Sequence, residues 1–215
     1  MMINQKFTNF AFSVQPESGF ITADNRQTQI RVIDADPQII EAIKACQTTD
    51  DICHLLYVYP NRFQLPPVGL IGPKEASAGQ YQMAEQFGEI VAGLGLTVIC
   101  GGRNGVMEAV CKGVHSAGGR SIGLLPGDDW REANPYVTLP VVTNMGPTRN
   151  SLIAKTAFAL VAVGGGYGTL TEMAYGLHYG KPVVATSDAP YVEGATCCDD
   201  LETLVAHVLT ALFRP

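Results

Sequence analysis

From Val68 onward, short and uninterrupted apolar runs alternate with longer segments of helical period. "VGLIG", "LTVICGG", "SIGLLPG", "FALVAVGG" and "PVVAT" read as strands, and "YVTLPVVT" as a further extended piece. Between and after them, "AGQYQMAEQFGEIVAGLG", "GVMEAVCKGVHSAGG", "PTRNSLIAKTA", "TLTEMAYGLHYG" and "LETLVAHVLTALF" read as helices. A strand that is apolar at every position must be buried on both faces. A helix after each strand returns the chain to the same sheet edge, so neighbouring strands run parallel. The pattern therefore predicts an α/β fold, a parallel sheet with helices on both faces.

Residues 1–65 do not share this rhythm and are read as a small N-terminal α+β appendage, with residues 66–215 as the ligand-binding domain. "FAFSV" and "QIRVID" have strand character. "DPQIIEAIKACQTTDDICHLL" reads as two short helices, with Pro37 at the first position of one and "TTDD" capping the other. Two helices across a polar turn could suggest DNA binding, but the second carries Asp50, Asp51 and His54 rather than basic residues. "NRFQLPP" reads as an extended linker.

Composition narrows the function classes. A net charge of −6 argues against broad nucleic-acid or anionic-membrane binding, while still allowing a small anion held locally. No apolar run approaches the length of a membrane span, and "MMINQKFTNFAFSV" lacks the form of a secretory leader, so a cytoplasmic location is expected. The six cysteines read as thiols. Cys46, Cys53 and His54 lack a second pair at zinc spacing, so no metal site is predicted.

In an open parallel sheet, ligands bind beyond the C-terminal ends of the strands. Four of those ends are rich in glycine here: "VGLIGPKEA", "ICGGRNGVMEA", "LLPGDDW" and "AVGGGYGTLTE". The last is the sharpest. A glycine turn feeding a helix exposes unpaired N–H groups, and the helix dipole adds partial positive charge. Thr169 adds a hydroxyl at the expected capping position. Together they predict a phosphate cradle, although a tight turn needing positive φ would also use glycines. The chain has neither the dinucleotide fingerprint nor a P-loop, so an ordinary NAD or ATP site is disfavoured. Arg149 opens a helix one strand earlier, where a cation is better placed to face an anion than to sit free. Glu172 reads as a first-turn carboxylate, kept ionised by the dipole and any nearby arginine.

"GGYGTLTE", with Arg149 upstream, resembles the LOG family, the lysine decarboxylase-like proteins. The resemblance implies cleavage of cytokinin riboside 5′-monophosphates to base and ribose 5-phosphate. That family's motif is Pro-Gly-Gly-x-Gly-Thr-x-x-Glu with an upstream Arg-Lys; here Gly164 replaces the Pro and Asn150 the Lys. "GGRNGVMEAV", "GLLPGDDWREANPYV", "MGPTRN" and "AVGGGYGTLTE" resemble more closely the branch that contains the molybdenum cofactor carrier proteins. Both imply a Rossmann-like, doubly wound sheet and a homodimer or homotetramer. True lysine decarboxylation is not supported, since Lys74 and Lys155 read as surface and helix-face lysines rather than a Schiff-base lysine.

Two functions are therefore in view. One is a binding or carrier protein for a phosphorylated heterocycle, either a nucleoside monophosphate or the pterin phosphate of the molybdenum cofactor. Gly165, Gly166, Gly168 and Thr169 would hold the phosphate, Gly101, Gly102 and Gly105 would let a ring approach the backbone, and Arg149 would balance charge. Gly72, Gly164, Tyr167 and Asn150 complete the candidate ligand set. The other is a phosphoribohydrolase with Glu172 beneath the sugar and Arg149 orienting the phosphate or assisting the departing base. Whether the protein is an enzyme is left open. Trp130, in a polar loop at the same sheet edge, is a candidate either for ring stacking or for a subunit contact.

Overall fold

The computed structural model describes residues 11–213 apart from positions 17, 25, 34, 35, 60 and 61. Of the stretch "MMINQKFTNFAFSV", read as lacking the form of a leader, the first ten residues lie outside these. The N-terminal segment forms a four-stranded antiparallel sheet of β1 (Phe12–Val14), β2 (Phe20–Ala23), β3 (Arg26–Val32) and β4 (Phe63–Gln64), in that order. Between β3 and β4 lie α1 (Pro37–Ala45) and α2 (Thr49–Val58). Asp36 caps α1 by accepting from the Gln38 N–H at 2.8 Å, with Pro37 at the first position, where no N–H is needed. Thr48 and Asp51 form a reciprocal capping box on α2. The expected linker departs from prediction: Phe63 and Gln64 pair with Val32 and Arg31 because the Phe63 side chain is buried.

The remaining strands are β5 (Val68–Ile71), β6 (Val98–Cys100), β7 (Ser121–Leu125), β8 (Leu139–Val142), β9 (Leu160–Ala162), β10 (Val183–Ala185) and β11 (Thr196–Cys197). They form one sheet in the order β11-β10-β9-β5-β6-β7-β8, with every neighbouring pair parallel. The chain runs outward from β5 to β8, then returns to β9 on the other side of β5 and runs outward again. The order reverses between β5 and β9, and that point is where a crevice opens in such sheets.

Alternate strand residues feed two cores. Leu70, Val98, Cys100, Val161 and Val163 join one with α3 (Ala78–Gly93), α4 (Val106–Ser116) and α7 (Leu201–Leu212). Ile71, Ile99, Leu160 and Ala162 join the other with α5 (Asn150–Thr156) and α6 (Tyr167–His178). This is the doubly wound arrangement. The first core also contains Ile21, Ile30, Ile43, Ile52 and Leu56 of the N-terminal layer, and the Phe12 and Phe213 rings lie 6.1 Å apart across the junction.

Helices α3 and α4 pack at backbone contact. A Cβ at Gly113 would stand 1.9 Å from the Glu85 carbonyl oxygen, and one at Gly88 would stand 2.3 Å from that of Val110. Neither carbonyl can retreat without breaking its helix. Gly113→Ala should therefore cost about 3 kcal/mol, read as a lowered midpoint in urea unfolding. An unchanged midpoint would mean the helices separate freely.

Candidate functional site

The C-terminal ends of β5 and β9 border a cleft of about 510 Å³ at the order reversal. The β9–α6 loop forms one wall. Val163 N–H donates to the Ile71 carbonyl at 3.0 Å, and Gly164 N–H donates to Thr186 Oγ1 at 2.8 Å, which fixes where the loop leaves the sheet. The first helical bond of α6 is Leu170 N–H to the Gly166 carbonyl, at 2.9 Å. Among the described residues, the N–H groups of Gly165, Gly166, Tyr167, Gly168 and Thr169 find no protein acceptor. The cap position belongs to Gly166, which has no side chain to satisfy them, and not to Thr169 as expected. Thr169 is buried in the first turn instead, over Gly165.

The glycines divide into two groups. A Cβ at Gly166 meets nothing within 4 Å, and one at Gly168 meets only Asn150 Nδ2 at 3.9 Å; both residues border the cleft. Gly101 borders it too, and its missing side chain leaves room for the Arg149 guanidinium, 2.5 Å from where a Cβ would sit. Gly72 lines the cleft, but a Cβ there would strike the Val163 carbonyl at 2.6 Å. Gly102, Gly105, Gly164 and Gly165 do not line it. These four have φ of +72°, +69°, +61° and +136°, so they shape the loops. Gly164 answers the departure from the LOG motif directly. A proline cannot reach φ +61° and has no N–H to give Thr186. Gly164 is also crowded by Gln80, whose Nε2 donates to Asp188 Oδ2 at 2.7 Å, while Thr186 Oγ1 donates to Asp188 Oδ1 at 2.5 Å. Tyr167 lies outside the cleft lining and is 87% exposed. Trp130 also lies outside it, so ring stacking from that residue finds no support in this geometry.

Three distant segments meet at the cleft floor. Arg149 ends a 3-10 turn (Gly146–Arg149) leading into α5 and is only 7% exposed. Its Nη2 donates to the Gly101 carbonyl and its Nη1 to Glu172 Oε1, both at 3.4 Å, and Nη1 also reaches Asn150 Oδ1. Its Nε is buried with no partner. Burial pushes the Arg149 pKa down and Glu172 opposes this, yet a guanidinium stays charged at any physiological pH. Asn150 Nδ2 donates to the Gly168 carbonyl at 3.3 Å and to Thr171 Oγ1 at 3.2 Å, so this side chain clamps the loop onto Arg149.

Glu172 departs from expectation. It sits in the second turn of α6 and is buried, and burial pushes its pKa up to about 7 against the pull of Arg149. Desolvation outweighs a single ion pair with long 3.4 Å geometry. A proton is therefore shared with solvent near neutral pH on the cleft floor.

Lys74, read from the sequence as a surface lysine, is exposed, but the sequence did not show which surface it occupies. It borders the cleft from the β5–α3 loop, with Pro73 and Glu75 beside it. The run "GPKEA" at the end of the first strand was the available signal.

A doubly wound parallel sheet whose strand order reverses at a crevice defines a Rossmann-like fold, and that crevice is the candidate ligand site. Residues 66–208 match the SLOG cluster4 family, and the chain belongs to that family. A protein of Archaeoglobus fulgidus is 35% identical over 148 residues, covering 69% of this chain and 97% of that protein. The solved molybdenum cofactor carrier protein of Chlamydomonas reinhardtii is 33% identical with a TM-score of 0.64, covering 69% of this chain and 99% of that one. A probable cytokinin riboside 5′-monophosphate phosphoribohydrolase of Oryza sativa is 31% identical over 106 residues, covering 47% of this chain and 43% of that protein. Among the described residues, no helix is long and apolar enough to cross a membrane.

Proposed function

We propose that the protein binds and carries a small phosphorylated heterocycle, a nucleoside monophosphate or the pterin phosphate of the molybdenum cofactor. One observation carries this reading: five consecutive amides without acceptors open a helix beside a buried arginine whose Nε also lacks one. Gly166, Tyr167 and Gly168 are exposed, so their amides are open to an incoming anion at the positive end of the helix dipole. The Arg149 Nε is a buried donor left unpaired, which is costly, and a bound phosphate oxygen would satisfy it. The amides from Gly166 to Thr169 grip the phosphate, Arg149 balances its charge, and the backbone at Gly72 and Gly101 floors the cavity. The cleft volume of about 510 Å³ suits a ligand of that size. Likeness to the carrier protein supports the choice of ligand class. A homodimer or homotetramer is proposed from the family resemblance alone, and a cytoplasmic location from the sequence alone.

A second reading, phosphoribohydrolase, is favoured by Glu172. A carboxylate beneath the sugar would stabilise charge developing at the anomeric carbon, with Arg149 holding the phosphate. Incubation with AMP separates the two. Release of adenine and ribose 5-phosphate that Glu172→Ala abolishes would establish the enzyme. Saturable binding without turnover would support the carrier, and mass spectrometry of the co-purified ligand would name the cargo.

Gly168 offers a cleaner test of the cradle. A helix favours alanine over glycine, so Gly168→Ala should stabilise the fold by about 0.5 kcal/mol. Its methyl group would stand where the phosphate belongs, so AMP affinity should fall about tenfold or more. Calorimetric titration beside a thermal melt reads both, and unchanged affinity would count against the cradle.

A further inference from the structure

Asn150 follows the site arginine, Arg149. The Asn150 amide is engaged on both sides: it donates to Gly168 and Thr171 and accepts from Arg149. It brings no charge to a ligand. When Glu172 is ionised it stands 3.4 Å from Arg149 and offsets part of the charge the guanidinium offers a ligand. A phosphate dianion needs more.

Lys74 is placed to supply it. The residue sits in the loop after β5, across the order reversal from the amide cradle, and borders the same cleft. Its side chain makes no ion pair among the described residues. Its backbone is held. Val106 N–H donates to the Pro73 carbonyl at 3.1 Å, and Gly105 lets α4 approach so closely that a Cβ there would lie 2.3 Å from the Lys74 carbonyl oxygen. A fixed backbone carrying an uncommitted ammonium suits phosphate recognition by a point charge. Glu75 borders the cleft as well and would repel an anion, so the loop attracts phosphate only through Lys74.

Resting on the phosphate-binding role of the cleft, we propose that Lys74 is its second cation, contacting the ligand's phosphate from the β5 side while the amides of Gly166–Thr169 hold it from the β9 side. The lysine thereby makes the site select phosphate monoesters over their uncharged counterparts.

The test titrates the full chain with AMP, adenosine and inorganic phosphate. Lys74→Ala should weaken AMP and phosphate about tenfold or more and leave adenosine unchanged. Lys74→Arg should restore most of the loss, and Glu75→Gln should tighten AMP. The fall of AMP affinity between low and moderate salt should be shallower in Lys74→Ala than in the wild type. If Gly168→Ala weakens AMP while Lys74→Ala does not, the lysine has no such role and the cradle stands. If neither AMP nor inorganic phosphate binds the wild type, both the cradle and the lysine's role fall.

Discussion

Glu172→Gln is expected to make the protein more stable above pH 7. Burial raises the folded pKa of Glu172 from its ordinary 4.5 to about 7. Below pH 4.5 the carboxyl is neutral in both folded and unfolded chains, and no penalty exists. Between 4.5 and 7 the folded chain keeps a proton that the unfolded chain has lost, so stability falls as pH rises. Above 7 the penalty is complete, at about 3 kcal/mol. Glutamine has the shape of the neutral form and avoids that cost. The attraction of Arg149 is already contained in the value near 7, so losing it does not reverse the sign. In a chain of 215 residues the gain corresponds to a rise of roughly 6–10 °C in melting temperature at pH 8, shrinking towards zero at pH 4.5. A variant that melts below the wild type at pH 8 would show that the Arg149 pair, and not desolvation, governs this site. A carboxylate retained at such a cost suggests selection for something other than stability.

The largest effect on binding belongs to Arg149→Ala. The guanidinium is buried, and one of its donors points at no protein acceptor. Removing a desolvated cation from a phosphate should weaken AMP about 100-fold or more. The fold should survive, since Glu172 can take up a proton near neutral pH once its counter-ion is gone. Arg149→Lys should not rescue, because an ammonium lacks the planar fork that reaches Gly101, Asn150 and Glu172 together. Wild-type affinity in Arg149→Ala would remove the arginine from the binding site.

The fold was legible where hydrophobic period is strong. The parallel strands and the helices between them follow from runs such as "LTVICGG" and "FALVAVGG". β2, β4 and β11 were missed because two to four residues carry too little period, and their pairing is decided by distant partners. The site was half legible. "GGGYGT" marked this turn as the candidate for anion binding, but only the fold could show that Gly166 and Gly168 face open space while Gly164 and Gly165 bend the chain. The raised pKa of Glu172 comes from burial opposed by Arg149, which the fold brings in from 23 positions away, and no local pattern reports such a meeting. Lys74 is the exposed lysine the sequence suggested, but that its loop borders the cleft could not be read locally, because the cleft exists only where β9 returns beside β5.

The N-terminal layer shares one continuous core with α3 and α7. That side of the sheet is therefore already occupied by the protein's own chain. Self-assembly through that side would have to use the layer's own outer surface, where Tyr57, Val58 and Tyr59 are exposed, while the margin of β8 offers Leu139 and Val142. A partner seated on the face of α7 that packs against β3 would first have to displace that layer.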